Sequence, residues 1–367
     1  MKQLLSIIFI FVIMTNLSSK NKHYQFLIGT YTSNTPSKGI YSLKLNKKTL
    51  SPDLKIVAEV VDPSFLAISK NKKQVFSVSE RGDKCNVNAF NFNPVTSSTS
   101  LINKVSAGND TGPCHIAATA KHVFIANYGG GSLFAYNIQD NNSLSEVVQK
   151  IQHTGMSVNP TRQTKPHVHQ VVVSPDSKFL LVNDLGTDLL TVYSYDKNSL
   201  TQPLTAFDTL QLKKGSGPRH LTFDNKGNYI YLIQELDGTL STIKYDYGRL
   251  TLVDTASVVI KKDIQTGAAD IHVSPDGMFV YATNRGTAND ISCFKTSKSG
   301  RIEFVQQISV EGVGPRNFAI TKDGNYVLVG NQRSNEIAIF SRNKKTGELT
   351  FIGNKVQVGA PVCILEY

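Results

Sequence analysis

The chain has 367 residues, of which 40% are hydrophobic, 18% are charged and none is tryptophan. This is the composition of an ordinary globular protein, and it excludes a disordered, collagenous or coiled-coil chain. The formal charge of +11 includes lysine pairs scattered among predicted turns, a pattern that argues against a nucleic-acid partner but lets the protein attract an anionic small molecule.

The N-terminal segment predicts export. Lys2 precedes an apolar run at Leu4–Met14, and small and polar residues follow this run up to Lys20. This is the pattern of a signal peptide, and the run is too short for a membrane span, which takes about 20 apolar residues. We therefore expect a signal peptide at 1–20 and a mature protein that is periplasmic or extracellular and detached from the membrane. An uncleaved anchor and a cytoplasmic chain are the alternatives.

The rest of the chain repeats one unit, in which a short apolar stretch, a polar turn and a β-rich run precede two further alternating runs. Pro, Asn and Gly in the turns favour the backbone angles of hairpins. The runs after the turns are short and rich in β-branched and aromatic residues, which indicates buried strands. These runs are Val75–Ser79, Val123–Ala126, Phe179–Val182, Tyr229–Ile233, Phe279–Thr283 and Tyr326–Gly330.

Aligning the turns shows seven copies of a repeat of about 50 residues. The last copy stops after one strand at 361–367, whereas the first copy, which begins near Tyr24, lacks its first strand. Pairing the two termini in one blade closes a ring without unpaired edges. We therefore predict an all-β fold, a seven-bladed β-propeller with four-stranded blades, as a single domain over 21–367. Equivalent first-strand positions are Ser64, Cys114, His169, Arg219, Ala269, Arg316 and Val362.

In a propeller blade the first strand lines the central channel and the second runs antiparallel to it. The start of the first strand and the end of the second therefore lie at one end of the ring. Five of the eight histidines fall in this register, which random scatter would rarely produce. The first-strand starts carry His115, His167, His169, Arg219, His220, Asp270, His272 and Arg316. The predicted second-strand ends carry Glu80, Asn127, Asp184, Glu235, Arg285 and Gln332.

This register predicts an anion site. Arg219 and Arg285 would converge with Glu235 and His169 on neighbouring blades, and such a group is costly to bury without a ligand. A propeller channel is also wet and polar in general, so that its residues can satisfy each other and ordered water. This second interpretation stays open for His115, Asp184, His220 and Asp270.

Short motifs are spread over all seven repeats. They are Ile28–Thr32, Lys38–Tyr41, Pro63–Ala67, Pro113–Ile116, Ala126–Gly130, Pro166–His169, Gly217–His220, Ala269–His272, Asn284–Gly286, Gly314–Phe318 and Pro361–Cys363. In this order they resemble the motifs of the seven-bladed lactonase family, which includes propeller-type 6-phosphogluconolactonases and carboxymuconate lactonising enzymes. The resemblance implies hydrolysis of a sugar lactone, usually a phosphorylated gluconolactone, with no required metal or other cofactor. It carries the family's catalytic positions onto His169, Glu235, Arg219 and Arg285, with one departure at Gln234, where the family usually has Asn.

Lactone opening needs a base that deprotonates water and positive groups that stabilise the developing oxyanion. His169 and Glu235 are both candidates for the base, and Arg219 and Arg285 would stabilise the oxyanion. Arg316 would hold a phosphate or carboxylate of the substrate. We expect a monomeric, metal-independent lactone hydrolase acting on a small anionic sugar lactone, without nucleic acid, membrane or cofactor. The further substrate-binding residues that we expect are His167, His220, Asp270, His272 and Gln332.

Three other functions stay open. The same base and arginines could serve a lactonising cycloisomerase that acts on a dicarboxylate, and a propeller with an idle channel could bind a partner without catalysis. A calcium-dependent lactonase would need hard oxygen ligands. The predicted export also conflicts with a cytoplasmic pentose-phosphate intermediate as the substrate and favours another lactone. The candidate calcium ligands are Glu80, Asp184, Asn127, Asn284 and Glu235.

The cysteines predict no zinc site. All four are widely separated and show no C-x-x-C spacing, so zinc and thioredoxin-type chemistry have no support. Export would permit disulfides, but we interpret these residues as isolated buried thiols.

Overall fold

The computed structural model describes residues 22–81, 85–109, 111–260 and 263–367. The predicted signal peptide, residues 1–20, lies outside them. In the described part of the chain, 28 β-strands form seven antiparallel sheets of four strands each. The innermost strand of every sheet packs beside the innermost strands of two neighbours, so that the sheets close into a ring of blades. The structure thus confirms the predicted all-β, seven-bladed propeller.

We number the blades from the N-terminus. Blade 1 contains β1 (His23–Thr30), β2 (Gly39–Asn46) and β3 (Pro52–Glu59), and its innermost strand is β28 (Pro361–Glu366). In blades 2 to 7 the four strands follow chain order from the channel outward. Blade 2 contains β4 (Leu66–Ile68), β5 (Gln74–Ser79), β6 (Cys85–Asn93) and β7 (Ser98–Gly108); blade 3 contains β8 (Pro113–Ala118), β9 (His122–Asn127), β10 (Ser132–Ile138) and β11 (Leu144–Gln152).

The remaining blades repeat this arrangement. Blade 4 contains β12 (Val168–Val173), β13 (Phe179–Asp184), β14 (Leu189–Tyr195) and β15 (Leu204–Gln211); blade 5 contains β16 (Pro218–Phe223), β17 (Tyr229–Gln234), β18 (Thr239–Asp246) and β19 (Arg249–Ser257). Blade 6 contains β20 (Ala268–Val273), β21 (Phe279–Asn284), β22 (Asp290–Thr296) and β23 (Ile302–Ser309); blade 7 contains β24 (Pro315–Ile320), β25 (Tyr326–Asn331), β26 (Glu336–Arg342) and β27 (Leu349–Gln357).

The apolar core is divided among the gaps between blades. The second strands β9 and β21 are buried along their whole length, whereas the outer strands β3 and β19 are largely exposed. Because neighbouring sheets stack face to face, the apolar side chains on both faces of a blade are covered. Phe26 and Leu43 of blade 1, for example, pack with Leu328 and Ile339 of blade 7. This stacking explains why the second strands are nearly continuous apolar runs.

The termini close the ring as predicted. β28 pairs antiparallel with β1, and Cys363 lies opposite Gly29. The chain end is also fixed, because the backbone N–H of Tyr367 donates to the carbonyl oxygen of Gln25 and its hydroxyl donates to Oγ of Ser97 at 2.6 Å. Both edges of β1 are therefore paired.

Most of the innermost strands contain a bulge that shapes the channel. In β16, Pro218 lies opposite Gln234 and His220 lies opposite Ile233, so that Arg219 is an extra residue without a direct partner. A bulge bends its strand and re-aims the extra side chain. Five of the seven positions that the repeat makes equivalent are extra residues of this kind. The same irregularity occurs at Cys114 in β8, His169 in β12, Arg316 in β24 and Val362 in β28.

The four cysteines are buried and form no disulfide, which confirms their interpretation as isolated thiols. Among the described residues, no helix has the length and apolar character needed to cross a membrane.

Candidate active site

Seven residues lie around one end of the channel because each directly follows the second strand of a blade. Four of the predicted residues, Glu80, Glu235, Arg285 and Gln332, are in this register. Asn127 and Asp184 lie at second-strand ends as predicted, but one position earlier than these four, because they are the last residues of β9 and β13. The full set is Tyr31, Glu80, Tyr128, Leu185, Glu235, Arg285 and Gln332.

Asp184 shows that the last residue of a second strand need not serve the channel. Its Oδ1 accepts the backbone N–H groups of His167 and Gly186, at 2.8 Å and 3.0 Å, and its Oδ2 lies 2.8 Å from Nδ1 of His153. The carboxylate is therefore used in closing a turn. A polar residue at the end of a strand can serve the turn instead of the channel.

Glu235 is the centre of the site. Only 9% of its side chain is exposed, and both carboxylate oxygens accept from arginines. Oε1 lies 2.7 Å from Nη2 of Arg162, and Oε2 lies 2.9 Å from Nε of Arg219 and 2.9 Å from Nη2 of Arg285. Burial would raise the pKa of Glu235, but Arg285, Arg219 and Arg162 together hold it well below its usual range. One carboxylate anion thus faces three cations, and the cluster carries excess positive charge.

Arg219 is held on two sides. The bulge in β16 buries it, with 1% of the side chain exposed, and Nε donates to Glu235. Nη1 donates to the carbonyl oxygen of Ala269 and lies 3.3 Å from Nε2 of His220. Burial and the neighbouring arginines lower the pKa of Arg219 to about 9, so it stays protonated at neutral pH. Among the residues that the structure describes, Nη2 has no hydrogen-bond acceptor.

The connection between β11 and β12, residues 153–167, supplies the third arginine. The hydroxyl of Ser157 and the amide of Gln163 donate to the buried carboxylate of Asp188, at 2.5 Å and 2.8 Å. Within the turn, Oδ1 of Asn159 accepts the backbone N–H of Arg162 at 3.0 Å. These bonds fix the connection so that the guanidinium of Arg162 reaches Glu235.

Sequence reasoning missed Arg162 and Tyr128. Nη2 of Arg162 donates to the hydroxyl of Tyr128 at 3.1 Å as well as to Glu235. The signal for Arg162 was the step of 55 residues from Cys114 to His169, about five residues longer than the repeat. The signal for Tyr128 was its place in the motif Ala126–Gly130, where the alignment selected the neighbouring asparagine.

His169 lies in the bulge of β12 and is buried. Its ring centre is 5.6 Å from that of Tyr128 and 5.2 Å from that of His220. Burial, followed by Arg219, lowers the pKa of His169 well below its ordinary value, so the ring is neutral at neutral pH. Its buried Nδ1 has no hydrogen-bond partner in the described part of the chain. Such an unpartnered group indicates a place for a ligand or water.

Arg316 lies on the other side of the same channel mouth. Its guanidinium carbon is 5.4 Å from the ring centre of Tyr31, and that of Arg81 is 4.2 Å from the same ring. The hydroxyl of Tyr31 donates to Oε2 of Glu80 at 2.8 Å. Within the described ranges, Arg316 forms no ion pair with a carboxylate, so its guanidinium can bind an anion.

The other predicted residues occupy two levels. At the mouth, the ring of His167 stacks on Tyr128 with 4.3 Å between ring centres, and the backbone N–H of Gln332 donates to Gly314. Below the arginines, Oδ1 of Asp270 lies 2.7 Å from Nδ1 of His220.

His272 lies apart from the arginine cluster. It is two positions further along β20 than Asp270 and is opposite Tyr281, well before the end of β21. With Thr222 and Leu365 it lines a cavity of about 270 Å³ toward the opposite end of the channel. The structure therefore does not bring this predicted residue to the mouth that holds Glu235.

The proposed calcium ligands do not meet. Both oxygens of Glu235 face arginines, Asp184 closes its turn, and Oδ1 of Asn284 accepts the backbone N–H of Gly267 at 3.0 Å. In the part of the chain that the structure describes, three or more His, Cys, Asp or Glu side chains nowhere form a metal-binding group.

The chain is similar in sequence and in structure to known lactonases. Residues 25–366 match the model of a family described as lactonase, 7-bladed β-propeller. A 6-phosphogluconolactonase of Bacillus subtilis is 31% identical over 346 residues, which are 92% of this chain and 96% of the relative. A crystal structure from Bacteroides fragilis, provisionally named a 6-phosphogluconolactonase, has a TM-score of 0.90 at 35% identity and covers 95% of this chain and 99% of its own. The structure of a periplasmic gluconolactonase of Pseudomonas aeruginosa has a TM-score of 0.88 at 32% identity, with 94% and 99% covered. The chain therefore belongs to the seven-bladed β-propeller lactonase family, as its motifs indicated.

Proposed function

We propose that the protein hydrolyses an anionic sugar lactone at the channel mouth that Glu235 occupies. The observation that supports this function is the excess of positive charge around one buried carboxylate. Arg162, Arg219 and Arg285 contact Glu235, and Arg316 lies at the same mouth without an ion-pair partner among the described residues. An anionic substrate would neutralise this charge. Membership of the lactonase family supports a lactone as its chemical class.

His169 is the proposed general base. Glu235 is a weak proton acceptor, because arginines occupy both of its oxygens and hold its pKa low. His169 is neutral and offers a nitrogen without a partner among the described residues. It would accept a proton from water while the water oxygen attacks the carbonyl carbon of the lactone. Collapse of the tetrahedral intermediate then breaks the ring C–O bond, and the proton passes to the departing ring oxygen, which becomes a hydroxyl.

The charge of the substrate would tune this base. Burial lowers the pKa of His169 most, and Arg219, Arg316 and Arg285 lower it further. A bound phosphate or carboxylate offsets the positive potential of these arginines, so the pKa of His169 rises toward its ordinary value in the complex. His169 is therefore a stronger base when an anionic substrate is bound than in the free protein.

Arg219 and Arg285 supply the positive charge for the oxyanion. Nη2 of Arg219 has no acceptor among the described residues and can donate to the developing oxyanion. Arg285 is fixed by two contacts, since Nε donates to the carbonyl oxygen of Gly267 at 2.8 Å and Nη2 contacts Glu235. In this mechanism Glu235 holds the guanidinium groups in place and exchanges no proton with the substrate.

A phosphorylated gluconolactone is the first substrate to test. The Bacillus subtilis relative is named a 6-phosphogluconolactonase, and Arg316 suits a phosphate. The Pseudomonas aeruginosa relative, which is named a periplasmic gluconolactonase, supports plain gluconolactone as the second. It also supports the export proposed from the N-terminal sequence. That the protein acts as a monomer stays a prediction.

The direct test is acid release from 6-phosphoglucono-1,5-lactone and glucono-1,5-lactone, with the spontaneous rate subtracted. We expect the wild-type protein to accelerate at least one reaction and His169→Gln to lower kcat about a hundredfold or more at a nearly unchanged Tm. His122→Gln is the control, because His122 is a buried histidine that contacts Tyr195, outside the mouth. A wild-type protein without turnover would contradict the proposal. If Glu235→Gln is inactive while His169→Gln is active, the role of base belongs to Glu235.

A further inference from the structure

Asp270 lies buried beneath the arginine cluster and accepts four hydrogen bonds. Its Oδ1 accepts from Nδ1 of His220 at 2.7 Å. Its Oδ2 accepts from Nε2 of His272 at 2.9 Å, from Nδ2 of Asn317 at 2.5 Å and from the backbone N–H of Phe318 at 3.2 Å. The carboxylate therefore joins the innermost strands of blades 5, 6 and 7.

These contacts fix the tautomer of His220. Burial would raise the pKa of Asp270, but His272 and His220 hold it well below its usual range, so the group is a carboxylate. A carboxylate only accepts hydrogen bonds, and Nδ1 of His220 must therefore carry the proton. Burial, followed by Arg219, lowers the pKa of His220 to about 4. The ring is neutral at neutral pH, and its Nε2 keeps a lone pair.

Nε2 of His220 faces Arg219. It lies 3.3 Å from Nη1 of Arg219, and because a guanidinium only donates, this contact requires an unprotonated Nε2. Glu235 holds Nε of the same arginine, and the carbonyl oxygen of Ala269 holds Nη1 from another side. The contacts leave Nη2 as the nitrogen for a ligand.

We propose that Asp270 and His220 form a positioning dyad, in which Asp270 keeps the proton of His220 on Nδ1 so that Nε2 can hold Arg219 with Nη2 free for the oxyanion. His220 is a positioning residue, because it acts through Arg219. The dyad rests on the proposed lactone hydrolysis and deepens it, since it explains what aligns the donor of the oxyanion site.

Two substitutions separate the two nitrogens of His220. In His220→Asn the amide nitrogen can replace Nδ1 and donate to Asp270, but no atom reaches Arg219. In His220→Gln the longer side chain can place its amide oxygen near the position of Nε2 and accept from Arg219, while the bond to Asp270 is lost. We expect kcat of His220→Asn to fall about tenfold or more at an unchanged KM, and His220→Gln to stay within about threefold of wild type. The reverse order would mean that His220 only satisfies Asp270, and equal losses would mean that the contact with Arg219 has no separate role. Either result would overturn the dyad.

The tautomer is measurable without turnover. The ¹⁵N shifts of the imidazole nitrogens in the full folded protein distinguish Nδ1–H from Nε2–H, and we expect Nδ1–H for His220. The Nε2–H tautomer in an active enzyme would contradict only the dyad, whereas a wild-type protein that opens no lactone would contradict the proposed function itself. The measurement uses wild-type protein, so a variant that fails to fold does not prevent the test.

Discussion

Nη2 of Arg162 lies 2.7 Å from Oε1 of Glu235, although 73 positions separate the two residues in the sequence. The contact joins the connection between blades 3 and 4 to the end of β17 in blade 5. Of the three arginines on Glu235, Arg162 is the most exposed, with 42% of its side chain accessible against 19% for Arg285 and 1% for Arg219. Arg162 is thus the guanidinium on the solvent side of the cluster, where a substrate arrives.

We predict that Arg162→Gln lowers kcat/KM for an anionic lactone about tenfold while Tm changes little. Tm should change little because Glu235 keeps its contacts with Arg219 and Arg285. The catalytic loss is larger because a charge-assisted hydrogen bond to the bound anion is removed. Arg162→Lys should recover part of the loss, because the positive charge is kept. Steady-state kinetics and thermal unfolding check both variants. Lys165→Gln removes a cation of the same connection whose Nζ donates to the carbonyl oxygen of Gly129, and an equal loss in this control would contradict a specific role for Arg162.

The repeat explains why most of the mouth could be predicted. Each blade is the same supersecondary unit, so residues at equal distances from the turns lie at one level of the channel. The positions of His169, Arg219 and Glu235 follow from this periodicity alone. Even the bulge that re-aims Arg219 recurs in several other blades.

The rest of the site depends on contacts that are not repeated from blade to blade. Arg162 reaches Glu235 from a connection that is bonded to Asp188, a buried residue between β13 and β14 of blade 4. Tyr128 was missed by one position, because the preceding asparagine is polar and the alignment favoured it. His272 lies deeper in the channel than the mouth. The alignment of repeats shows which strand a residue belongs to, but it does not show this depth.

Buried histidines should make the protein less stable in mild acid. Burial is the largest cause that lowers the pKa values of His115, His169 and His220. The unfolded chain, with ordinary pKa values near 6.5, binds protons that the folded chain excludes. The free energy of unfolding therefore falls as the pH decreases below about 6.5, by roughly 2 kcal/mol at about pH 5 for His220 alone. His272 has the opposite effect on stability. Burial would lower its pKa, but Asp270 raises it above the ordinary value.

Thermal unfolding at about pH 7 and about pH 5 measures this effect. We expect a lower Tm at the acidic pH, and a smaller decrease for His115→Gln than for wild type. His115 is suited to this comparison because its Nδ1 has no hydrogen-bond partner among the described residues, so the substitution breaks no bond at this atom. The same Tm at both pH values would show that these histidines titrate normally in the folded protein.

Deleting Val362–Tyr367 should open the ring. The deletion removes nearly all of β28, the innermost strand of blade 1, which also packs beside the innermost strands of blades 2 and 7. It exposes the backbone of β1 to edge pairing, so we expect aggregation or loss of cooperative unfolding. Size-exclusion chromatography and calorimetry check this outcome. A synthetic peptide of 361–367 should restore soluble protein where a scrambled peptide does not, because β1 presents an edge for strand addition. A soluble deletion variant that unfolds cooperatively without the peptide would contradict closure by the termini.

Arg316→Ala should distinguish a charged from a neutral substrate. Arg316 stacks on Tyr31 at the start of β24 and forms no ion pair within the described residues, so its guanidinium is available to a phosphate or carboxylate. One charge-assisted hydrogen bond contributes roughly 1.5–3 kcal/mol. We therefore expect the KM for the phosphorylated lactone to rise about tenfold or more, with a much smaller effect on the plain lactone of the same ring size.

The matched control for this change is Arg301→Ala. Arg301 is exposed in the connection between β22 and β23, which lies at the opposite end of the ring because successive strands are antiparallel, and the substitution alters the net charge by the same amount. Initial rates with both lactones across a range of concentrations measure KM and kcat for wild type and for the two variants. An equal rise in KM for both lactones in Arg316→Ala would show that Arg316 supports the mouth without contacting the phosphate. If the wild-type protein prefers the plain lactone, the phosphorylated lactone is excluded as the preferred substrate. The predicted export signal would then have indicated the substrate better than Arg316 does.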